Sequence, residues 1–555
     1  MKKTIALAAL SAVMMPAAAQ DTYENARLLG SDLNGTARYV GMGGALEALG
    51  ADISTISTNP AGVGLFRRSS ASISFGLVSQ QDCQDFDNLG KTNMSFDQAG
   101  LVYSTRTGSS SYLNFAFNYH KSRNFDQILS AANNQMRNAS MSKLAFAKGT
   151  KDNDNNGGYY WDTNKQGEII GWRDQNSNER AWPYTQWDYL YFNGIGYDAD
   201  TQEALFVEAA PIDGQNAYIF DRAHRGWISD FDFNISGNIN NRIFLGLTIG
   251  LHNVNYRGVS NYSERIVAAD GHDRGVLTLA DERKITGNGA DIKIGAIFRP
   301  IEDSPFRFGL SIATPIWYDL TSENWTTLYN HTDSNWGYDK VSTNNAYDFK
   351  YYTPWKFGLS LGHTIGSEVA LGASYEYTDY AAGDYRVNDG YYSYDYYDYY
   401  NDSGSYSDRE MKSNAEYSLK GAHLLKLGAE FKPDPSLAVR LGYNYLSPTY
   451  NKNGYRDSQL NSELNMYAST ADYTNWEDTH RLTCGFGYKY ENLSIDLAYQ
   501  YSMTKGQFYP FQPNVDFIDP VPDADGNPIY DTNISSPTSV KFTRLHLVLS
   551  LTYTF

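Results

Sequence analysis

The feature that most constrains this chain is a strict two-residue alternation of apolar and polar side chains. In the closing run RLHLVLSLTYTF, Leu545, Leu547, Leu549, Leu551, Tyr553 and Phe555 alternate with Arg544, His546, Val548, Ser550, Thr552 and Thr554. Ile243, Leu245, Leu247, Ile249 and Leu251 repeat the pattern, as do Leu493 to Tyr501, Leu437 to Tyr445 and Val369 to Tyr377. Successive side chains of a β-strand point to opposite faces, so each segment reads as a strand with one apolar face. Fourteen such segments occur, near 70–79, 96–106, 110–121, 227–239, 241–257, 287–299, 304–314, 352–365, 367–380, 419–432, 435–447, 477–490, 492–504 and 541–555.

The connections alternate short and long. Tight turns lie at 107–110, 240–241, 300–303, near 366, at 433–435 and at 491–492. Long segments occupy 80–95, 122–226, 258–286, 315–351, 381–418, 448–476 and 505–540. In an antiparallel meander alternate connections fall on opposite sides, so all short turns share one side with both termini. Tight periplasmic turns and long extracellular loops are the asymmetry of outer-membrane barrels. A closed barrel is also the one strand architecture that crosses a bilayer without an unpaired edge. A soluble sandwich or a secreted β-helix alternates too, but a sandwich has edges to protect and does not require so uniformly apolar an outward row.

Composition agrees with this reading. Mean hydropathy is −0.51 despite the apolar rows, because half of each strand is polar. The 46 tyrosines suit a girdle where a ring has one apolar and one wet end. A net charge of −18 argues against a nucleic-acid partner. Lys2, Lys3, the apolar run Ile5 to Met15 and the small residues Ala17 and Ala19 read as a signal peptide over 1–19, cleaved before Gln20. Gln20 rather than a Cys follows the cleavage site directly, which argues against a lipid anchor. Cys83 and Cys484 are the only cysteines, and their spacing defines no pairing.

Residues 20–68 do not alternate. They carry a Gly- and Ala-rich helical pattern around Ala37 to Leu49, then the turn-rich DISTISTNPAG. Too small to fold alone, yet too apolar for a disordered tail, this segment reads as a plug inside the lumen of a barrel formed by 69–555. ARYVGMGGALEALGADISTISTNPAGVG resembles the amino-terminal hatch of the FadL/TodX family, outer-membrane transporters of long-chain fatty acids and other hydrophobic compounds. The match centres on Asn59, Pro60, Ala61 and Gly62. The resemblance implies a fourteen-stranded barrel whose hatch gates passive entry of an apolar ligand, with exit past the hatch or through a lateral opening in the wall. A related subgroup implies the alternative, a protein-secretion shuttle or surface scaffold using the long loops.

The expected fold is therefore an all-β, 14-stranded antiparallel transmembrane β-barrel with a small luminal hatch. Its expected location is the outer membrane of a Gram-negative bacterium. The expected partners are the lipid bilayer, lipopolysaccharide, the barrel-assembly machinery that recognises a terminal Phe such as Phe555, and a hydrophobic small molecule. Among inward charges, Arg307 and Arg440 are candidates to hold a ligand carboxylate, although a salt-bridged lumen wall would place them equally well. Asp152, Asp154 and Asn156 begin a calcium-type loop that lacks its closing Glu, since Thr163 stands there. Asp162 and Asp523 open similar partial matches, which plain turns also produce. No nucleotide-binding loop, G-x-S-x-G or HExxH occurs, so no enzyme and no cofactor is expected.

Overall fold

The computed structural model describes residues 21–87, 89–136, 139–150, 159–163, 169–174, 180–181, 184–195, 216–267, 271–332, 339–388, 404–513, 521–522, 528–529 and 533–555. The calcium-type runs at 152–157 and 523–527 lie outside these residues. Fourteen antiparallel strands close into a transmembrane barrel. They are β1 (Ser70–Gln81), β2 (Thr92–Arg106), β3 (Tyr112–Asn124), β4 (Ala217–Ile239), β5 (Ile243–Val267) and β6 (Asp273–Phe298). β7 runs Arg307–Ala313 and resumes as Trp317–Thr332; β8 runs Lys340–Tyr352 and resumes as Lys356–Ile365. β9 (Val369–Asp379), β10 (Gly421–Asp434), β11 (Leu437–Leu446), β12 (Tyr473–Tyr490), β13 (Leu493–Tyr509) and β14 (Thr538–Thr554) complete the wall. β1 pairs with β14 from Ser70–Thr554 to Gln81–Thr543, which seals the cylinder.

The outward row explains the alternation. Leu547, Leu549 and Leu551 are exposed while Val548 and Ser550 between them are buried. The same exposed apolar band runs through Phe231, Phe233 and Ile235, then Leu245, Leu247 and Ile249, then Leu359 and Leu361. These residues would be costly in water and are in their element against lipid. Trp227, Trp317 and Trp355 sit at its outer border, where amphipathic rings favour the interface.

Beyond that border the strands continue, which corrects the expectation of loops over 258–286 and 315–351. The physical reason lies in the environment. Inside the band, β5 turns its apolar side outward, with Leu245 to Leu251 exposed. Above it, apolar side chains point inward instead: Val254, Tyr256, Tyr262 and Ile266 are buried, and Asn253 and Asn261 face out. Water outside replaces lipid, so the apolar face changes sides while the backbone stays extended.

β7 and β8 break together at this border. The pairs Ala313–Lys356 below and Trp317–Tyr352 above keep one register, which sets Pro315 opposite Pro354. Proline donates no ladder hydrogen bond, so two facing prolines interrupt the ladder. Thr353 repairs part of it, accepting at Oγ1 from the Ile316 N–H (2.8 Å) and donating its own N–H to the Ile316 carbonyl (3.1 Å).

Two further readings are corrected. The long 122–226 segment supplies a cap rather than only a loop: its helices α3 (Met141–Thr150) and α4 (Gln186–Ile195) bury Leu144, Trp187, Leu190 and Tyr191 against Phe220, Leu277 and Phe508. Within 381–418, Arg409–Ser418 forms a helix that buries Met411 and Ala415, whereas 389–403 lies outside the described residues.

Candidate functional site

The bore is filled by the chain that precedes β1. A short helix, α1 (Thr22–Leu29), stands among the outer parts of the strands. The Ala37 to Leu49 pattern yields helix only at α2 (Ala37–Gly41), because Gly43, Gly44 and Gly50 adopt positive φ that end it in tight turns. DISTISTNPAG becomes two 3-10 turns, each started by a capping side chain. Asp52 accepts from the Ser54 N–H (3.0 Å) and Asn59 from the Ala61 N–H (3.1 Å), with Pro60 at the first helical position. Asn59 also donates to the Leu310 carbonyl of β7 (3.3 Å), and Pro60, Ala61 and Gly62 are buried.

The wall makes room for this plug with glycine. Gly362, Gly372, Gly428 and Gly442 lie directly opposite one another across β8, β9, β10 and β11. A Cβ on Gly372 would strike the Ala45 carbonyl, one on Gly428 the Met42 carbonyl and one on Gly442 the Gly43 nitrogen. Across the bore the paired Gly246 and Gly295 receive Pro60 and Asn59 in the same way.

Charge fastens the plug on one side. Lys426 of β10 holds Glu47 at 2.7 Å with both side chains buried. Arg38 reaches Glu430 at 3.2 Å; Arg440 joins Glu430 and Asp496, each at 2.6 Å. Arg440 is thus part of a carboxylate-paired ladder lining a hollow at the short-turn end of the barrel. Arg307 donates to the Leu49 carbonyl at 3.0 Å, so it too ties plug to wall. The two candidate arginines sit on β11 and β7 and are not brought together.

The wall splits between β2 and β3. β1 pairs with β2 as far as Ser79–Thr92, and β3 pairs with β4 as far as Asn124–Trp227, but the β2–β3 ladder stops at Gln98–His120. The plug occupies the freed edge of β3. Asp32 donates its N–H to the Ser122 carbonyl (2.7 Å) and accepts from the Asn124 N–H (2.9 Å). Asn34 bridges both strands, donating to the Lys121 carbonyl (3.0 Å) and to Asp97 (3.2 Å). Although burial opposes it, the guanidinium groups of Arg544 and Arg123, 3.0 and 3.5 Å away, hold the Asp32 carboxyl below the usual carboxylate range.

Two cavities meet this split from inside. An inner one reaches Asp32, Asn34, His120, Asp230 and Lys293. An outer one, partly open to solvent, is lined by Tyr23, Arg27, Asp32, Tyr450 and Tyr473 among others. Sequence reasoning missed this outer cavity because its residues Arg222, His224, Tyr473 and Thr474 fell in segments read as loops, where no face could be assigned. Among the described residues no group of three His, Cys, Asp or Glu side chains is placed to hold a metal ion. Cys83 and Cys484 are apart and free, the latter on the lipid-facing row.

The fold and site together define a plugged transmembrane barrel with a laterally split wall. No family model matches the chain, and no curated protein matches it. Similar solved structures include a FadL homologue from Pseudomonas aeruginosa, 12% identical over 95% of this chain and 99% of that one, with a TM-score of 0.47. The P. putida toluene transporter TodX is 12% identical over 94% and 99%, with a TM-score of 0.42. The Ralstonia pickettii toluene transporter TbuX is 11% identical over 94% and 99%, with a TM-score of 0.43.

Proposed function

We propose that this chain is a passive outer-membrane channel that admits hydrophobic small molecules and releases them sideways through its wall. The observation that carries the reading is the split between β2 and β3, backed by cavities and bridged by Asp32 and Asn34 of the plug. A straight route down the bore is obstructed by backbone seated on glycine and by buried ion pairs. An apolar solute gains nothing from such a polar path, whereas the split lies at the apolar band, where the rings of Phe96 and Tyr119 stack across it at 5.4 Å. The plug segment 32–34 is the gate: it is held by a few hydrogen bonds and ion pairs and can part from the β3 edge without unfolding the barrel. Transfer follows the concentration gradient.

The test is transfer of a neutral hydrophobic fluorophore into proteoliposomes. Cysteines at 95 and 121, joined by a short bis-maleimide in a protein lacking Cys83 and Cys484, tie β2 to β3. Transfer that persists at full rate after cross-linking excludes the lateral route. Fatty acid or another apolar ligand co-purifying in native mass spectrometry supports uptake, and a stoichiometric protein partner would favour the scaffold alternative.

A further inference from the structure

Within the outer cavity, three hydrogen-bonding groups on buried side chains have no partner. They are Arg222 Nε, His224 Nε2 and Thr474 Oγ1, and all three residues line the cavity and are at least nine-tenths buried. Arg222 and His224 are two apart on β4 and so share its inward face; Thr474 approaches from β12. Arg222 is anchored through its Nη1 by Asp472, while its Nε makes no hydrogen bond.

The hydrogen-bond chain sets the histidine tautomer. Arg27 donates Nη1–H to the Tyr256 hydroxyl at 2.8 Å. A guanidinium cannot accept, so the Tyr256 hydrogen goes to His224 Nδ1, 2.5 Å away. Nε2 therefore carries the imidazole hydrogen. Burial, with Arg27 and Arg222 alongside, depresses the His224 pKa, and the ring stays neutral and a donor. Three unsatisfied buried donors at one cavity wall are costly unless an acceptor arrives. Charge agrees: five arginines line the cavity against three carboxylates, Asp32, Asp126 and Glu477.

The rest of the lining is aromatic. Tyr23, Tyr380, Tyr450, Tyr473, Trp476 and Phe542 surround the space, and Tyr23 stacks on Tyr450 at 5.2 Å. Ring faces and edges favour a flat aryl group over a flexible alkyl chain.

We infer that the outer cavity is a binding subsite for aromatic carboxylic acids, in which Arg222, His224 and Thr474 take the carboxylate and the tyrosine rings take the aryl body. This inference rests on the channel reading and names the solute class that its entrance selects. Specificity comes from the donors: a neutral arene leaves them unpaired, so it binds less tightly than the corresponding acid.

The test is a calorimetric titration of the purified full-length protein with 2-naphthoate, naphthalene and decanoate. The acid arene is expected to bind at least about ten-fold tighter than either comparator. Thr474→Val, which replaces the hydroxyl by a methyl, and Arg222→Gln combined with Asp472→Asn, which removes both members of that ion pair, should each weaken naphthoate about ten-fold or more and leave naphthalene unchanged. Equal affinity for naphthalene, tighter binding of decanoate, or naphthoate affinity indifferent to both variants overturns the inference. A protein that transfers the neutral fluorophore but fails this panel loses the acid subsite alone. One that passes the panel but transfers nothing keeps the subsite and overturns the passage.

Discussion

Gly372 of the wall and the carbonyl of Ala45 in the plug meet with no space for a β-carbon between them. Because Gly362, Gly428 and Gly442 continue that line across the neighbouring strands, the plug lies backbone-to-backbone against the barrel. Gly372→Val should therefore displace the plug at a cost of about 1–3 kcal/mol while leaving the lipid-facing side of β9 untouched. Trypsin cleavage near Arg38 and raised conductance in planar bilayers are the readouts. Unchanged protection in the variant would contradict the seat.

The Glu47–Lys426 pair should behave as a buried ion pair. Glu47→Gln alone leaves the Lys426 charge without its partner and should cost about 3–5 kcal/mol. Glu47→Leu combined with Lys426→Met should recover most of that loss. Denaturant titration of the reconstituted protein separates the two, and a double variant as weak as the single one would refute the pairing.

Asp281 stands on the inward face of β6 above the membrane band, where Thr326 donates to it at 2.7 Å. Burial pushes its carboxyl up to about 6, against which the Ser469 and Thr326 hydroxyls act. An unfolded Asp titrates near about 3.9. Between these values the folded protein holds a proton that the unfolded chain has released. This stabilising contribution is thus complete below about 3.9 and is lost as the pH rises through 6, a change of roughly 2–3 kcal/mol. Asp281→Asn should flatten the pH dependence of unfolding between about pH 4 and 6. An unaltered slope in the variant would remove Asp281 as its source.

Leu549 lies mid-row on the outward face of β14. Leu549→Arg places a charge in hydrocarbon and should cost about 2–4 kcal/mol, seen as a smaller folded fraction on refolding into vesicles. Ser539→Arg, on the same strand above the band, should fold normally. Equal yields from both would deny the lipid-facing assignment.

The wall was legible because lipid imposes one rule on every strand it touches. All fourteen segments, from 70–79 to 541–555, fall on observed strands. Legibility ended at Trp227, Trp317 and Trp355, where water replaces lipid and the apolar row crosses to the inner face. There β5 and β6 keep their geometry but lose the pattern, and 258–286 reads as a loop. The plug was recognisable from its apolar content and the NPAG motif, yet its helix is only Ala37–Gly41, since successive positive-φ glycines outweigh the periodicity. Arg222, His224 and Thr474 gave no local signal, because their shared cavity exists only once β4 and β12 extend above the membrane.

The plug precedes β1, and β1 also closes the barrel against β14. Its first helix nonetheless reaches the far half of the bore, where Tyr23 stacks on Tyr450 and Asp21 meets Arg456. Once that seam is closed, the cylinder is open at its side where β2 and β3 part, and the plug itself fills that gap. The segment is either already threaded when the last seam zips or climbs the finished tube past a bore narrowed by its own seat. Topology thereby couples assembly steps: the amino-terminal stretch reaches its seat more easily before the first and last strands join than after.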